Sequence, residues 1–254
     1  MLNYVEYGKE NKYDDDIFFQ KYSQMSRSQQ GLAGAGEWET LRKLLPDFKD
    51  KRVLDLGCGY GWHCIYAMEN GASSVVGVDI SHKMLEVAKE KTHFPQVEYK
   101  CCAIEDVEFP EESFDVILSS LAFHYVADYE ILVKKIYRIL KSGGKLVFTV
   151  EHPVFTAYGT QDWYYNEKGE ILHFPVDNYY YEGKRTAVFL GEKVTKFHRT
   201  LTTYLNTLLS NGFIINHIVE PQPPENMMDI PGMQDEMRRP MMLIVSANKN
   251  CYTT

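Results

Sequence analysis

The sequence predicts an α/β fold in which a seven-stranded, mostly parallel sheet carries helices on both faces. From residue 50 to 150, short apolar runs alternate with amphipathic stretches of helical length, and a glycine-rich turn follows the first run. Near the end of the chain, two further apolar runs are separated by a proline-rich loop without a helix. The alternation indicates right-handed βαβ units, and the final pair indicates an antiparallel last strand at the sheet edge.

The individual elements follow from periodicity and capping residues. Each predicted strand is a β-rich apolar run, and each predicted helix repeats apolar residues every three or four positions. Ser81 and Asp128 are suitable helix caps, an acidic cluster precedes a helix from Ile17, and Gly71 suits a helix end. The predicted strands are 51–56, 74–78, 96–102, 114–119, 145–150, 213–220 and 241–247. The other predicted helices are 37–45, 61–70, 128–140, 200–211 and one that follows Ser81.

Composition excludes several classes of function. The 254 residues carry 27 Lys plus Arg against 35 Asp plus Glu, a net charge of −8, and no basic block, which disfavours nucleic acid as a partner. No apolar run reaches the roughly 20 residues that a membrane helix needs. Residues 1–6 lack a basic end followed by an apolar run, so we expect a cytoplasmic protein without a membrane partner. The five cysteines are odd in number and lack zinc-site spacing, so we expect neither a disulfide scaffold nor a bound metal.

The segment from Val53 to Gly61 carries the strongest functional signal. Its strand runs into Gly57, Gly59 and Gly61 at a helix start, where bare backbone can approach a ligand. Asp79 ends the next strand, twenty residues after Gly59, where a carboxylate can accept hydrogen bonds from both ribose hydroxyls. The sequence therefore predicts a ribonucleoside ligand.

The residues around the glycines favour one kind of ribonucleoside. An NAD fingerprint needs glycine at position 62, which is Trp62 here. Asp55 would repel a pyrophosphate but would suit an ammonium group. A nucleoside with a positively charged amino-acid tail therefore fits better than NAD, although an NAD-dependent oxidoreductase stays as an alternative.

At this point the sequence resembles class I S-adenosylmethionine-dependent methyltransferases, which have a Rossmann-like fold. Val53–Gly61 and the later Asp79 resemble motif I and the acidic loop of that family. Phe114–Ile117 resembles its fourth strand, and Ile139–Leu146 resembles its "LKPGG" turn into strand five. The resemblance is close over residues 50–150 and implies S-adenosylmethionine as the cofactor.

The resemblance also implies a set of cofactor-binding residues. Gly57, Cys58 and Gly59 would line the methionyl part beside Asp55, and Asp79 would hold the ribose. At Ala103 many members have an acidic residue that accepts from the adenine amino group, so here that contact would come from Glu105, water or backbone. The remaining implied residues are Ile80 and Met84 flanking the adenine, Ile104 at its edge, Ser119 and Ser120 closing the pocket, and Tyr22 and Arg27 binding the carboxylate or closing the site.

The acceptor side is predicted from topology. Ligands of such sheets lie beyond the carboxyl ends of the strands, which places Phe123–Tyr125 and Glu151–Pro153 there. His124 and His152 are the candidate catalytic residues, since a histidine of ordinary pKa can act as a base at neutral pH. The alternative is that each only packs or hydrogen-bonds its loop. His198–Arg199 is a further candidate pair, with a helix-start role as its alternative.

The chain is predicted to be a single domain with four parts. These are an N-terminal helical segment (1–49), a nucleoside-binding core (50–151), an insertion (152–198), and a C-terminal helix and hairpin (199–254). The insertion holds eleven aromatic residues in 47 positions. We expect it to cover the acceptor pocket as a cap; the alternative is a small β-extension whose aromatics pack on the sheet or form a dimer contact.

Together these features predict methyl transfer from S-adenosylmethionine to a small-molecule acceptor by in-line displacement, in a monomer or homodimer. The run Ser120–Phe123 lacks the Asn/Asp-Pro-Pro-Tyr/Phe pattern of nucleobase amino-methylating relatives, which agrees with a small acceptor. The alternative to catalysis is a sensor that binds the cofactor without turning it over.

Overall fold

The computed structural model describes residues 9–251, so the N-terminal hexapeptide considered above lies outside the described residues. Its strands are β1 (Arg52–Leu56), β2 (Ser74–Asp79), β3 (Val97–Cys101), β4 (Phe114–Ser120), β5 (Leu140–Glu151), β6 (Tyr164–Tyr165), β7 (Ile171–His173), β8 (Gly183–Phe189), β9 (Glu192–His198), β10 (Phe213–Val219) and β11 (Met242–Lys249). Its α-helices are α1 (Asp16–Ser23), α2 (Ser26–Gln29), α3 (Trp38–Leu41), α4 (Trp62–Glu69), α5 (His82–Lys91), α6 (Tyr129–Ile139), α7 (Pro153–Ala157) and α8 (Leu201–Ser210).

Seven strands form one sheet in the order β10-β11-β5-β4-β1-β2-β3. Strand β11 runs antiparallel to both of its neighbours, and the pairs from β5 to β3 are parallel. The predicted seven-stranded, mostly parallel sheet with an antiparallel last strand is therefore confirmed. Because β11 is reversed, its first residue Met242 pairs with Glu151 at the carboxyl end of β5.

Two apolar cores cover the two faces of this sheet. Val53 and Leu54 are adjacent in β1 and fully buried, but they belong to different clusters because successive strand residues point to opposite faces. One cluster joins the sheet to α6 and α8, whose Ile136 and Leu208 have no exposed surface. The other joins it to α3 and α4. The sheet is thus packed against apolar clusters on both faces, which fixes the positions of its strand ends.

Two local predictions differ from the structure, and the elements of the insertion were not predicted individually. The helix predicted over 37–45 is shortened to Trp38–Leu41, and turns lead from it to Pro46, since the residue before a proline disfavours α geometry. The glycines at 143 and 144 lie inside a longer β5 with an irregular register, rather than in a turn before it. The insertion forms two hairpins, β6-β7 and β8-β9, as well as α7.

The N-terminal segment is anchored on the core beside Asp79. The Asp14 carboxylate accepts hydrogen bonds from the Ser81 hydroxyl at 2.6 Å and from the backbone N–H of Lys83 at 3.1 Å. Both donors lie at the start of α5, where exposed N–H groups favour an acidic partner. This contact holds the chain before α1 over the carboxyl ends of β1 and β2. Within residues 9–251, no helix is long and apolar enough to cross a membrane.

Candidate functional site

A cavity of about 210 Å³ lies at the carboxyl ends of β1, β2, β4 and β5. Its walls come from the core, from the N-terminal segment, from Phe189 at the end of β8 and from the start of β11. Most of the predicted cofactor residues line it. They are Tyr22, Arg27, Gly57, Gly59, Asp79, Ile80, Met84, Ala103, Ile104, Glu105 and Ser120, together with the candidate catalytic residue His124.

The glycine loop forms one wall of the cavity with backbone alone. Gly57 and Gly59 have φ of +79° and +53°, in the left-handed region. A Cβ on Gly59 would come within 3.2 Å of the Met84 methyl group, and one on Gly57 would clash with Ala122. The positive φ angles and these close contacts explain why both positions hold glycine, and the loop presents bare backbone to the cavity.

Asp79 sits at the centre of this wall. Its Oδ2 accepts a hydrogen bond from the Gly59 N–H at 2.9 Å, and its Oδ1 accepts one from the Ser81 N–H at 2.9 Å. Burial raises the pKa of Asp79, although these hydrogen bonds oppose the rise. Each carboxylate oxygen can accept a second hydrogen bond. The arrangement fits the two hydroxyls of a ribose.

The methionyl end of the predicted ligand would meet Tyr22 and Arg27. The Arg27 guanidinium already binds Glu37, with one nitrogen 3.0 and 2.9 Å from the two carboxylate oxygens. Glu37 is buried, so this pair fixes the arginine at the cavity wall. A smaller cavity of about 70 Å³ adjoins here, and Cys58 lines it.

Besides Cys58, four of the predicted cofactor-binding and catalytic residues do not line the main cavity. Gly61 has φ of +75°, and the space where its Cβ would lie is filled by the Tyr99 hydroxyl, so this glycine serves packing. The Ser119 hydroxyl donates to the Leu56 carbonyl at 2.7 Å behind the wall. Asp55 is also buried behind the glycine loop, and His152 lies beyond the end of β5.

Asp55 is a buried carboxylate with few partners. Its Oδ2 accepts a weak hydrogen bond from the Cys64 thiol at 3.5 Å, and its Oδ1 has no partner among the described residues. Burial raises the pKa of Asp55 to about 7. The protonated form is therefore favoured in the folded chain well above the pKa of an exposed aspartate.

The raised pKa of Asp55 predicts a pH-dependent stability. Because the folded state holds this proton more tightly, the associated stability is present below about pH 4 and is lost as pH rises through about 7. Between pH 5 and 7 the free energy of unfolding of wild type should fall, relative to Asp55→Asn, by roughly 1 kcal/mol per pH unit. Urea titrations at several pH values measure this. The exposed Asp229→Asn is the control, and curves for wild type and Asp55→Asn that stay parallel would contradict the prediction.

His124 lines the cavity near Glu151, at the end where the methyl acceptor is predicted to bind. Its surroundings do not favour the predicted role as a base. The ring is buried, which lowers the pKa of His124 to about 4. Its Nδ1 accepts a long hydrogen bond from the Glu151 N–H at 3.4 Å. A neutral ring that accepts at Nδ1 carries its proton on Nε2. The structure therefore favours His124 as a hydrogen-bond donor at neutral pH.

His152 and His198 hold local structure. The Nδ1 of His152 accepts from the Val154 N–H at 3.1 Å, which caps α7, and its Nε2 lies 2.8 Å from a Glu220 oxygen. His198 is fully buried between the Thr156 hydroxyl and the Tyr179 carbonyl, at 2.7 and 2.9 Å. The His152 contacts match its alternative role in the loop and give its catalytic prediction no support. His198 lies just before α8, whose cap is Thr200, and it contacts residues of the insertion rather than the cavity.

The insertion covers the cavity less than expected. Of its eleven aromatic residues, Phe189 is the one that lines the cavity. Phe155, Trp163 and Phe174 instead surround the Arg239 guanidinium, whose central carbon lies 4.5 to 4.9 Å from the three ring centres. This cluster fixes the loop that leads to β11. Three of the eleven aromatics therefore stabilise the contact of the insertion with that loop. Five tyrosines of the insertion are instead exposed, namely Tyr158, Tyr164, Tyr165, Tyr180 and Tyr181.

Sequence reasoning missed much of the acceptor end. Leu121 has φ of +54°, and its N–H donates to the Thr149 carbonyl at 2.9 Å, so a strained residue faces the cavity. Met242 could have been predicted, since an antiparallel last strand begins where β5 ends. Tyr125 and Glu151 also line the cavity, and both belong to the two segments that topology placed there. The other missed lining residues are Lys9, Glu10, Tyr13, Met25, Ala122, Val126 and Met241.

Comparison with known proteins identifies the family. A family model described as a methyltransferase domain matches residues 54–148. A solved structure assigned as an S-adenosylmethionine-dependent methyltransferase from Listeria monocytogenes is 57% identical, with a TM-score of 0.83. It covers 87% of this chain, and the match spans 99% of that chain. This chain is an S-adenosylmethionine-dependent methyltransferase of class I.

Two further relatives agree with this assignment of the methyltransferase. The S-adenosylmethionine-dependent methyltransferase from Mesorhizobium loti is 40% identical over 86% of this chain and all of that chain, with a TM-score of 0.79. Ubiquinone biosynthesis O-methyltransferase of Coxiella burnetii is 35% identical over 112 residues, which are 43% of this chain and 47% of that enzyme. The predicted cofactor, S-adenosylmethionine, follows from the family.

Proposed function

We propose that this methyltransferase acts on a small organic molecule that binds in the same cavity as the cofactor. The observation that carries the proposal is that the cavity continues from the glycine loop to Glu151 and Phe189, under the cover of the N-terminal segment. The net charge of −8 and the relative named for ubiquinone biosynthesis support the same acceptor class.

The contacts already described support an assignment of cavity residues to the parts of S-adenosylmethionine. Asp79 holds the ribose, Ile80 and Met84 flank the base, and Gly57 and Gly59 make room for the methionyl part. Tyr22 and Arg27 close the carboxylate end. Glu105 or the backbone near Ala103 meets the adenine edge.

The other half of the cavity mainly orients the methyl acceptor. When bound, S-adenosylmethionine supplies a methyl group activated by a positively charged sulfur. The chain then has to align the acceptor and exclude water, which can contribute roughly 7 to 11 kcal/mol to lowering the barrier. Phe189 and Met242 supply apolar walls, and His124 donates a hydrogen bond. Burial raises the pKa of the neighbouring Tyr125, which keeps its hydroxyl protonated.

The test is transfer of a labelled methyl group. Purified chain is incubated with methyl-labelled S-adenosylmethionine and a cell extract separated by size into metabolites, protein and RNA. We expect label in the metabolite fraction. Label confined to protein or RNA would contradict the small-molecule acceptor, and binding of the cofactor without any transfer would favour a sensor.

The cofactor half has its own test, the substitution Asp79→Ala. Loss of two charge-assisted hydrogen bonds to the ribose should weaken the binding of S-adenosylhomocysteine at least tenfold. Isothermal titration calorimetry measures the dissociation constant. The matched control is Glu90→Ala, an exposed carboxylate on α5, the helix that follows Asp79. An unchanged dissociation constant for Asp79→Ala would refute the ribose role.

A further inference from the structure

The acceptor end of the cavity presents carboxylates to its ligand. Glu10 and Glu151 both line it, beside the apolar side chains of Phe189, Met241 and Met242. The described cations that line the cavity are Lys9 and Arg27, and each already pairs with a carboxylate, Asp106 and Glu37 respectively. An anionic acceptor would therefore meet like charge at this end.

Glu151 is held in place by two residues of the insertion. The Lys196 ammonium donates to Glu151 Oε1 at 2.5 Å and to Gln161 Oε1 at 2.9 Å. The Gln161 amide donates to Glu151 Oε2 at 2.6 Å. Lys196 is only 2% exposed and the Glu151 side chain is 13% exposed, so the three side chains form a largely buried network.

This network leaves Glu151 with unused capacity. Each carboxylate oxygen can accept about two hydrogen bonds, and the network provides one to each. Although burial alone would raise the pKa of Glu151, His124 in its protonated form, the Lys196 ammonium and the Gln161 hydrogen bond outweigh it and hold the pKa below its usual value. Glu151 is therefore an ionised, fixed hydrogen-bond acceptor on the cavity wall.

We propose that Glu151 binds the N–H or O–H group of the methyl acceptor, with Lys196 and Gln161 as positioning residues. The acceptor class is then a neutral or cationic amine or hydroxyl compound with an apolar body, rather than a phosphate or carboxylate. This inference rests on the proposed small-molecule function. On this inference, Lys196 and Gln161 of the insertion set the acceptor specificity by positioning the side chain of Glu151.

The test is ligand-observed NMR on the chain saturated with S-adenosylhomocysteine. The probes are a fragment set in which the same small aromatic bodies carry an amine, a hydroxyl, a carboxylate or a phosphate. We expect amine and hydroxyl fragments to bind and the anionic ones to be depleted. Glu151→Gln should weaken the tightest of the protic fragments about tenfold or more, while S-adenosylhomocysteine binds within twofold of wild type.

Matched variants separate this role from a structural one. Glu130→Gln changes an exposed carboxylate on α6, outside the cavity lining, and should leave fragment binding unchanged. Glu151→Gln/Lys196→Met removes both buried charges, so the test stands even if the single variant folds poorly. Lys196→Met should weaken protic fragments without changing S-adenosylhomocysteine binding, and Lys196→Arg should partly restore them.

Equal or preferred binding of anionic fragments, no binding by any fragment, or a preference unchanged in both Glu151 variants would overturn the inference. These outcomes differ from failure of the proposed function, which appears as absent methyl transfer to metabolites. A fragment preference that depends on Glu151, in a chain that transfers no methyl group, would support the acceptor site and refute the activity.

Discussion

Replacing Gly57 by alanine should lower the free energy of unfolding by about 2 to 5 kcal/mol. The residue has φ of +79°, where a Cβ costs roughly 1 to 2 kcal/mol. That Cβ would also lie 2.4 Å from the Cβ of Ala122, so the loop after β4 has to move, and overpacking of this kind costs roughly 1 to 3 kcal/mol. Urea denaturation measures the change. Because both loops line the cavity, S-adenosylhomocysteine should also bind at least tenfold more weakly.

The chain offers a close control for this substitution. Gly169 has φ of +78°, but apart from its two chain neighbours no atom of residues 9–251 lies within 4 Å of the position of its Cβ. Gly169→Ala should therefore show the conformational cost alone, and Gly57→Ala/Ala122→Gly should recover the part due to the contact. Equal losses in Gly57→Ala and Gly169→Ala would mean that the contact with Ala122 contributes nothing.

Lys196→Met should destabilise the chain by about 3 to 5 kcal/mol, because it leaves the buried carboxylate of Glu151 without its charged partner. The pKa of Glu151 is lowered in the folded chain, so the stability that it contributes is present above the unfolded value near 4.3. That contribution is lost as pH falls through the folded pKa. The difference between wild type and Lys196→Met should therefore shrink in acid, and urea titrations at pH 7 and below pH 4 measure it.

Two further variants serve as references for the stability loss expected in Lys196→Met. Glu151→Gln/Lys196→Met removes both charges and should regain most of the lost stability, since an uncharged buried pair carries no unpaired ion. Lys134→Met breaks the exposed pair with Glu130 and should change stability by less than about 1 kcal/mol. A loss in Lys196→Met no larger than that in Lys134→Met would refute the buried-pair interpretation.

The cofactor half of the site was largely predictable because it depends on local order along the chain. Gly57 and Gly59 follow β1 directly and Asp79 ends β2, so adjacent parallel strands bring them together once the strands are recognised. Ile80, Met84 and Ala103 follow from the same logic. Gly61 was misleading, since its lack of a side chain makes room for Tyr99 rather than for a ligand.

The acceptor half depends on long-range packing, which residue patterns did not reveal. Lys196 reaches Glu151 from a hairpin 45 positions further along the chain. The same packing buries His124 and so lowers its pKa to about 4, which a sequence-based expectation near 6.5 could not anticipate. Three aromatics of the insertion surround Arg239 and five tyrosines are exposed, so an excess of aromatic residues did not indicate which side chain reaches the cavity.

The sequence by itself determined the fold class, the family and the position of Asp79 beside the glycine loop, because strand periodicity and a glycine loop are short-range signals. The tertiary structure alone decided the protonation of Asp55 and His124, the pairing of Glu151 with Lys196, and the arrival of Met242 beside the carboxyl end of β5. Burial and charge pairing depend on residues that are distant in sequence. They exist only once the sheet, the insertion and the N-terminal segment have packed together.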